Sequence, residues 1–219
     1  MTDANKELPP PEALMMLGTH CPHCPSVLGS LSDLVKQGVI SKLEVVNLEQ
    51  RPEIGVELGV RSVPWVRIGQ IELAGLYSKS ELQSWAEQAG SEAGMTKYIE
   101  QLLGDGEVMQ VLGMIEKDHG LLHALIGLVS DADAKINARL GAGVVMEGYE
   151  GTPELLALIP ELGELTRHED ARVRSDACHY LSLTHDDSVR AFIEPLLDDE
   201  HEEVREVAEE SLEALNAAS

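Results

Sequence analysis

Apolar and polar positions follow two different rhythms along this chain, and the change falls near residue 90. Up to that point, strand-length apolar runs alternate with helical stripes. Ala13-Leu14-Met15-Met16-Leu17 is a continuous apolar run of strand length. Val27, Leu31, Leu34 and Val35 follow at helical spacing, and Gly38 offers a C-terminal stop. Leu43 to Leu48 reads as a second strand, and Pro52 to Leu58 as a short helix closed by Gly59. Arg61 to Gly69 reads as a third strand with Pro64 near its start. Gly69-Gln70 then makes a hairpin turn, and Ile71 to Ala74 pairs back. Gly75 interrupts. Ser78 and Glu81 have the spacing of a capping box, opening a helix whose buried face is Leu82, Trp85 and Ala86 and whose end is Gly90. The order is strand-helix-strand-helix-strand-strand-helix over residues 12–90.

Beyond Gly90 the pattern predicts helices only. Ser91 to Gly94 is small and polar and predicts a linker. Lys97 to Leu103 and Glu107 to Lys117 are short helices, the second with Val108, Val111, Leu112 and Ile115 on one face, so residues 91–120 read as a helical linker region. From Leu121 to the end a loose repeat shows. Asp133 to Leu140, Asp170 to Ala177 and Glu202 to Ala208 resemble one another, with Ile136, Val173 and Val204 aligned at steps of 37 and 31 (173 − 136 and 204 − 173). Arg174 and Arg205 follow the aligned valines, whereas Asn137 follows Ile136. Each unit is preceded by an apolar helix holding a proline or glycine: Leu122 to Val129, Leu155 to Leu165, Val189 to Leu197. At the other end, residues 1–11 close on Pro9-Pro10-Pro11 and predict a disordered leader.

Composition narrows the function classes. Aromatic residues are only 3%, so the core must be built of Leu, Val, Ile and Ala, which favours helices. Three cysteines are too few for a disulfide scaffold. No run approaches the ~18 apolar residues of a membrane span, and residues 1–12 show no signal-peptide pattern, so the expected compartment is the cytoplasm. The net charge of −23 is uneven: residues 1–90 carry 11 acids and 7 bases, residues 91–219 carry 28 and 9. Such an acidic second half argues against nucleic acid and against anionic membranes. An acidic helix face can also serve solubility alone.

The candidate chemistry lies in Gly18-Thr19-His20-Cys21-Pro22-His23-Cys24-Pro25. The pattern places it at a strand-to-helix junction, with Cys21 at the first turn of the helix. A thiolate there faces unpaired N–H groups and the positive end of the helix dipole, which favour the anion. Cys24, one turn away, is placed to resolve a mixed disulfide. Two other readings stand beside this one. His20, Cys21, His23 and Cys24 could hold a metal, although no second CxxC or spaced His pair accompanies them. The cysteines could also be merely structural. Cys178 sits on an apolar helix face and reads as a small buried hydrophobe.

Three features together resemble the thioredoxin fold: Cys21-Pro22-His23-Cys24 at the junction, Ser62-Val63-Pro64 opening the third strand, and Gly69 and Gly75 around the hairpin. The domain looks like glutaredoxin in size, with no helix before its first strand. The resemblance implies that Pro64 is cis and faces Cys21, and that Val63 offers its backbone to an extended substrate. The Pro22-His23 dipeptide resembles that of strongly oxidising members, which implies that His23 stabilises the Cys21 thiolate. His20 stands where thioredoxin carries Trp, and the glutathione-gripping pattern of glutaredoxin is not met by Ala74 to Tyr77. The phrase acidic-x-x-Val-Arg before an Ala/Leu helix resembles a HEAT repeat, which implies stacked helix pairs offering a surface to a protein partner.

The fold expected is thus an α/β thioredoxin-like domain followed by an all-α HEAT-like domain over residues 121–219. The function expected is thiol–disulfide exchange on a protein disulfide or dithiol by Cys21 and Cys24. A reductase or oxidant of unknown identity would recycle the pair, with no cofactor and no metal. A protein partner, basic in character, would dock on the helical repeats. The competing expectations are a redox-sensing adaptor without turnover and a metal carrier.

Overall fold

A computed structural model describes residues 9–218. Residues 1–8 of the expected leader, and Ser219, lie outside the described residues. Pro9 and Pro10 are exposed, while the Pro11 carbonyl accepts from the Ser41 backbone N–H at 2.9 Å.

The chain divides into two compact units, Met1–Met95 and Thr96–Ser219. The first holds β1 (Glu12–Leu17), α1 (Cys24–Lys36), β2 (Lys42–Asn47), α2 (Pro52–Glu57), β3 (Trp65–Ile68), β4 (Ile71–Ala74) and α3 (Lys79–Gln88). The strands form one sheet in the order β2-β1-β3-β4. β1 runs parallel to β2, through the α1 crossover, and antiparallel to β3; β3 and β4 form the hairpin. Central strand β1 buries Ala13, Met15 and Met16, and β3 buries Trp65, Val66 and Ile68. Edge strand β2 stays largely exposed, as an edge that covers no second layer would. α1 lays Cys24, Val27, Leu31 and Leu34 inward at helical spacing, and packs beside α3.

Local chemistry sets the joints. Gly69 turns the hairpin at φ +60°, a conformation that favours a residue without Cβ. Ser78 caps α3 by accepting from the Glu81 N–H, and Glu81 reaches back to the Ser78 N–H at 2.7 Å, so the capping box is complete. The Val63–Pro64 peptide bond is cis.

One expected loop is helical instead. Residues 91–94 open α4 (Glu92–Gly104). Ser91 acts as its cap, its hydroxyl accepting from the Gly94 N–H at 3.0 Å and its carbonyl from the Met95 N–H. Gly94 is there for closeness rather than flexibility, because a Cβ would collide with the Gln88 carbonyl.

The second unit is helical throughout its described residues. After α5 (Val108–Ile115) come α6 (Leu122–Ser130), α7 (Ile136–Gly148), α8 (Pro153–Leu156), α9 (Ile159–Leu165), α10 (Ala171–Ser182), α11 (Arg190–Ile193) and α12 (Glu202–Ala218). α6 packs on α7, α9 on α10, and α11 with the 3₁₀ turn Glu194–Asp198 on α12. The first helix of the second and third pairs is broken rather than continuous. Pro160 lies in the first turn of α9, and Pro195 in that of the 3₁₀ turn, where a missing N–H is tolerated.

The repeat register needs one correction. Val173 and Val204 are buried and are each the third residue of their helix, but Ile136 is the first residue of α7 and 75% exposed. The third residue of α7 is Ala138, fully buried. The equivalent positions are therefore Ala138, Val173 and Val204. Arg139 follows as Arg174 and Arg205 do, so the arginine of the first unit is present after all. The sequence alignment gave greater weight to the larger apolar residue, whereas α7 packs through alanine and glycine. Gly141 lies so near Leu103 that an added Cβ would meet its side chain at 3.0 Å.

Candidate redox site

The site is assembled at the carboxyl end of β1. Pairing of β1 with β2 places Leu17 opposite Asn47, and pairing with β3 places Met16 opposite Trp65, the residue after Pro64. Three chain segments therefore meet where β1 ends. Gly18 marks how closely: a Cβ there would stand 3.4 Å from both the Val63 side chain and Glu49 Oε1.

Cys21 and Cys24 are joined as a disulfide, with Cα atoms 5.5 Å apart. Cys21 does not lie in the first turn of α1, as the spacing suggested. The helix begins at Cys24, with His23 as its cap residue, and Cys21 stands three positions ahead of it. The reason is Pro25, which takes the second helical position, where it needs no partner for its missing N–H. The Cys21 sulfur nevertheless meets the start of the helix. No side chain caps α1; instead the Cys24 N–H donates to Cys21 Sγ at 3.1 Å. The sulfur occupies the place of a capping acceptor, facing the positive end of the helix.

The two sulfurs differ in access. Cys24 is 3% exposed and packed with the inner face of α1, while Cys21 is half-buried on the rim. Pro22 and His23 are exposed between them, and His20 is exposed just before. Val63 is half-buried, and its N–H and C=O take no backbone partner among the described residues. Pro64 is buried, and its carbonyl accepts from the Gly75 N–H at 2.8 Å. Among the described residues no group of three or more His, Cys, Asp and Glu side chains is arranged to hold a metal ion.

Sequence reasoning missed the residues that hold the loop. Thr19 donates its N–H to Glu49 Oε1 at 2.8 Å, and its hydroxyl accepts from Asn47 Nδ2 at 3.1 Å. Asn47 Oδ1 in turn accepts from the Glu49 N–H at 2.9 Å. Hydrogen bonding from Thr19 holds the Glu49 carboxyl below its ordinary range, with His20 acting weakly in the same direction. The only signal was Asn47-Leu48-Glu49 closing a strand, a pattern for a local turn.

Cys178 lies elsewhere, fully buried on α10, its thiol pushed up to about 11 by burial. A thiol so placed is inert at neutral pH. Among the described residues no helix is long and apolar enough to cross a membrane.

The family model of the thioredoxin domain matches residues 13–87, and that of HEAT repeats matches residues 121–213. No curated protein matches the chain. The chain is thus a thioredoxin domain, with its cysteine pair where β1 gives way to α1, fused to HEAT repeats.

Proposed function

We propose that the chain is a thiol–disulfide oxidoreductase of protein substrates, with Cys21 as the attacking sulfur and Cys24 as the resolving one. The observation that carries this is the asymmetry of the pair: Cys21 half-buried and facing the Cys24 N–H, Cys24 3% exposed. In the reduced state that N–H favours the Cys21 thiolate. The thiolate attacks one sulfur of a substrate disulfide; a mixed disulfide forms and the other substrate sulfur leaves as a thiolate. Cys24, deprotonated, then attacks Cys21 Sγ, releasing the second substrate sulfur. Two electrons pass to the substrate, and the pair is left as the disulfide. An external dithiol restores it, and the same steps in reverse oxidise a substrate dithiol. Val63, whose N–H and C=O take no backbone partner among the described residues, is suited to receive an extended substrate strand beside Pro64. The helical repeats supply a protein-docking surface that selects the substrate.

The test is turnover of a model protein disulfide by the full chain with dithiothreitol as reductant. Cys21→Ser should abolish turnover, and Cys24→Ser should stall as a mixed disulfide. Turnover that survives Cys21→Ser would overturn the scheme. His23 enters as an exposed residue at the cap of α1, between the two cysteines. Its replacement by alanine removes a group that favours the thiolate, so the Cys21 pKa should rise and the pair become more reducing. A redox titration against glutathione reads this, and an unchanged potential removes His23 from the mechanism.

A further inference from the structure

The three second helices of the repeats carry different faces at equivalent positions. Counting from the first residue of each, the first, fifth and ninth positions are Ile136, Leu140 and Val144 on α7, and Glu202, Glu206 and Glu210 on α12. On α12 they are exposed carboxylates, as solvent-facing positions at helical spacing should be. On α7 they are branched hydrophobics left 75%, 65% and 51% exposed. Residues four apart stack on one helix face, so these three side chains form one continuous stripe two turns long. Nothing in the packing of the repeat needs it, since α7 turns Ala138, Ala142 and Val145 inward instead.

The stripe forms one wall of a groove of about 590 Å³ that α10 closes on the other side. Two polar atoms of groove-lining residues, Ser175 Oγ and Arg139 Nη1, are buried with no hydrogen-bond partner among the described residues. Ser175 is 7% exposed. A buried polar group without a partner is unfavourable, and an occupant that supplies an acceptor relieves it. Glu147 and Glu203 also line the groove.

The geometry points to this groove as the seat of an amphipathic helix from a partner protein, apolar on the side that meets Ile136, Leu140 and Val144 and rich in lysine and arginine on the sides that meet Glu147 and Glu203. This deepens, and rests on, the reading that the helical repeats dock a partner. Two observations select the occupant. The stripe has the four-residue spacing that a helix lying along it can match with its own apolar row. Two arginines line the groove, but Arg139 is paired with Asp176 and Arg172 with Asp170, so Glu147 and Glu203 set the sign of what an occupant meets, within a half-chain of 28 acids and 9 bases. The same charge disfavours a second copy of this chain, which brings −23 of its own.

The probe is a fluorescein-labelled helical peptide with leucines at every third or fourth position and lysines elsewhere. Its binding to the full chain is followed by anisotropy. The leucine–lysine peptide should bind, and Leu140→Ser or Ile136→Ser should weaken it by about tenfold or more. Glu147→Gln with Glu203→Gln should flatten the salt dependence. Both stripe positions are exposed, so the variants should keep the wild-type melting temperature. Four outcomes would overturn the inference: no binding, equal binding to Leu140→Ser, equal binding of a peptide with the same composition but no apolar face, or a wild-type dimer that Leu140→Ser dissociates. Reduction of a small-molecule disulfide by the same proteins keeps the two readings apart. Absent reduction with intact peptide binding would count against the redox chemistry alone, and normal reduction without binding against the groove alone.

Discussion

At the scale of single residues, the reactive loop is held from outside itself. Thr19 has no strong local anchor; its amide and hydroxyl are taken by Glu49 and Asn47, at and just beyond the end of β2. These bonds position the backbone that leads to Cys21, and positioning matters because attack on a disulfide needs a defined approach. Glu49→Ala should therefore lower kcat/KM for a protein disulfide by roughly tenfold. Glu49→Gln, which keeps an oxygen acceptor for the Thr19 N–H, should retain most of the activity. Were the glutamine variant as poor as the alanine one, the charge of Glu49 rather than its hydrogen bond would be responsible. Neither residue stands out in the sequence. Glu49 is thirty residues from Thr19, and only the parallel register of β1 on β2 brings them together.

At the scale of elements, the third repeat is fastened to the second by one buried carboxylate. Asp199 accepts from Arg174 Nε and Nη2, both at 2.8 Å, and from the His201 N–H at 2.9 Å, while its carbonyl accepts from Arg205 Nη1. Arg174 also donates to the His168 and Glu169 carbonyls. Both members of the pair are less than a tenth exposed, so removing one leaves a charge without its counterion. Asp199→Asn should destabilise the helical unit by about 3 kcal/mol at neutral pH, read by chemical denaturation. Arg174 holds the Asp199 carboxyl below its ordinary 3.8, so the folded state favours the ionised form. The stabilisation is complete above 3.8 and is lost as pH falls through the lower folded value. The gap between wild type and Asp199→Asn should accordingly close in acid; a gap independent of pH would mean that the pair's charge does not stabilise the fold. The arginine of the repeat was legible because Arg174 and Arg205 sit one place after a buried valine. That of the first repeat was not, because Ala138 gives no apolar signal beside Ile136. Hydrophobicity marks core positions only where the core is filled by large side chains, and α7 packs closely through small ones. The succession of elements along the first unit, the hairpin and the Ser78 capping box were legible because each rests on patterns within a few residues. The start of α1 was misplaced by three residues because sequence spacing alone does not say which cysteine the helix begins on.

At the scale of the molecule, the proposed function divides the work of recognition unequally between the two units. Under that proposal the first unit meets its substrate through the backbone of Val63, which takes no backbone partner among the described residues, and backbone contacts bind any extended strand with little discrimination. Charge does discriminate, and it is concentrated beyond residue 90, at −19 (9 − 28) against −4 (7 − 11). Complementary charge speeds encounter with a basic partner and turns away acidic ones, and the effect decays over a Debye length of ~10 Å at 0.1 M salt and ~3 Å at 1 M. A partner held on the helical repeats also raises its own effective concentration at the tethered cysteine pair. Mixed disulfides trapped with Cys24→Ser in the full chain should therefore be few in kind and enriched in basic proteins at 0.1 M salt. At 1 M the set should broaden and lose that bias, because backbone recognition is all that persists. Mass spectrometry of the trapped proteins reads both conditions. If the two sets were the same, with no basic enrichment at either salt, the acidic charge would be serving solvation of the helices, and partner choice would rest with the backbone around Val63 and Pro64.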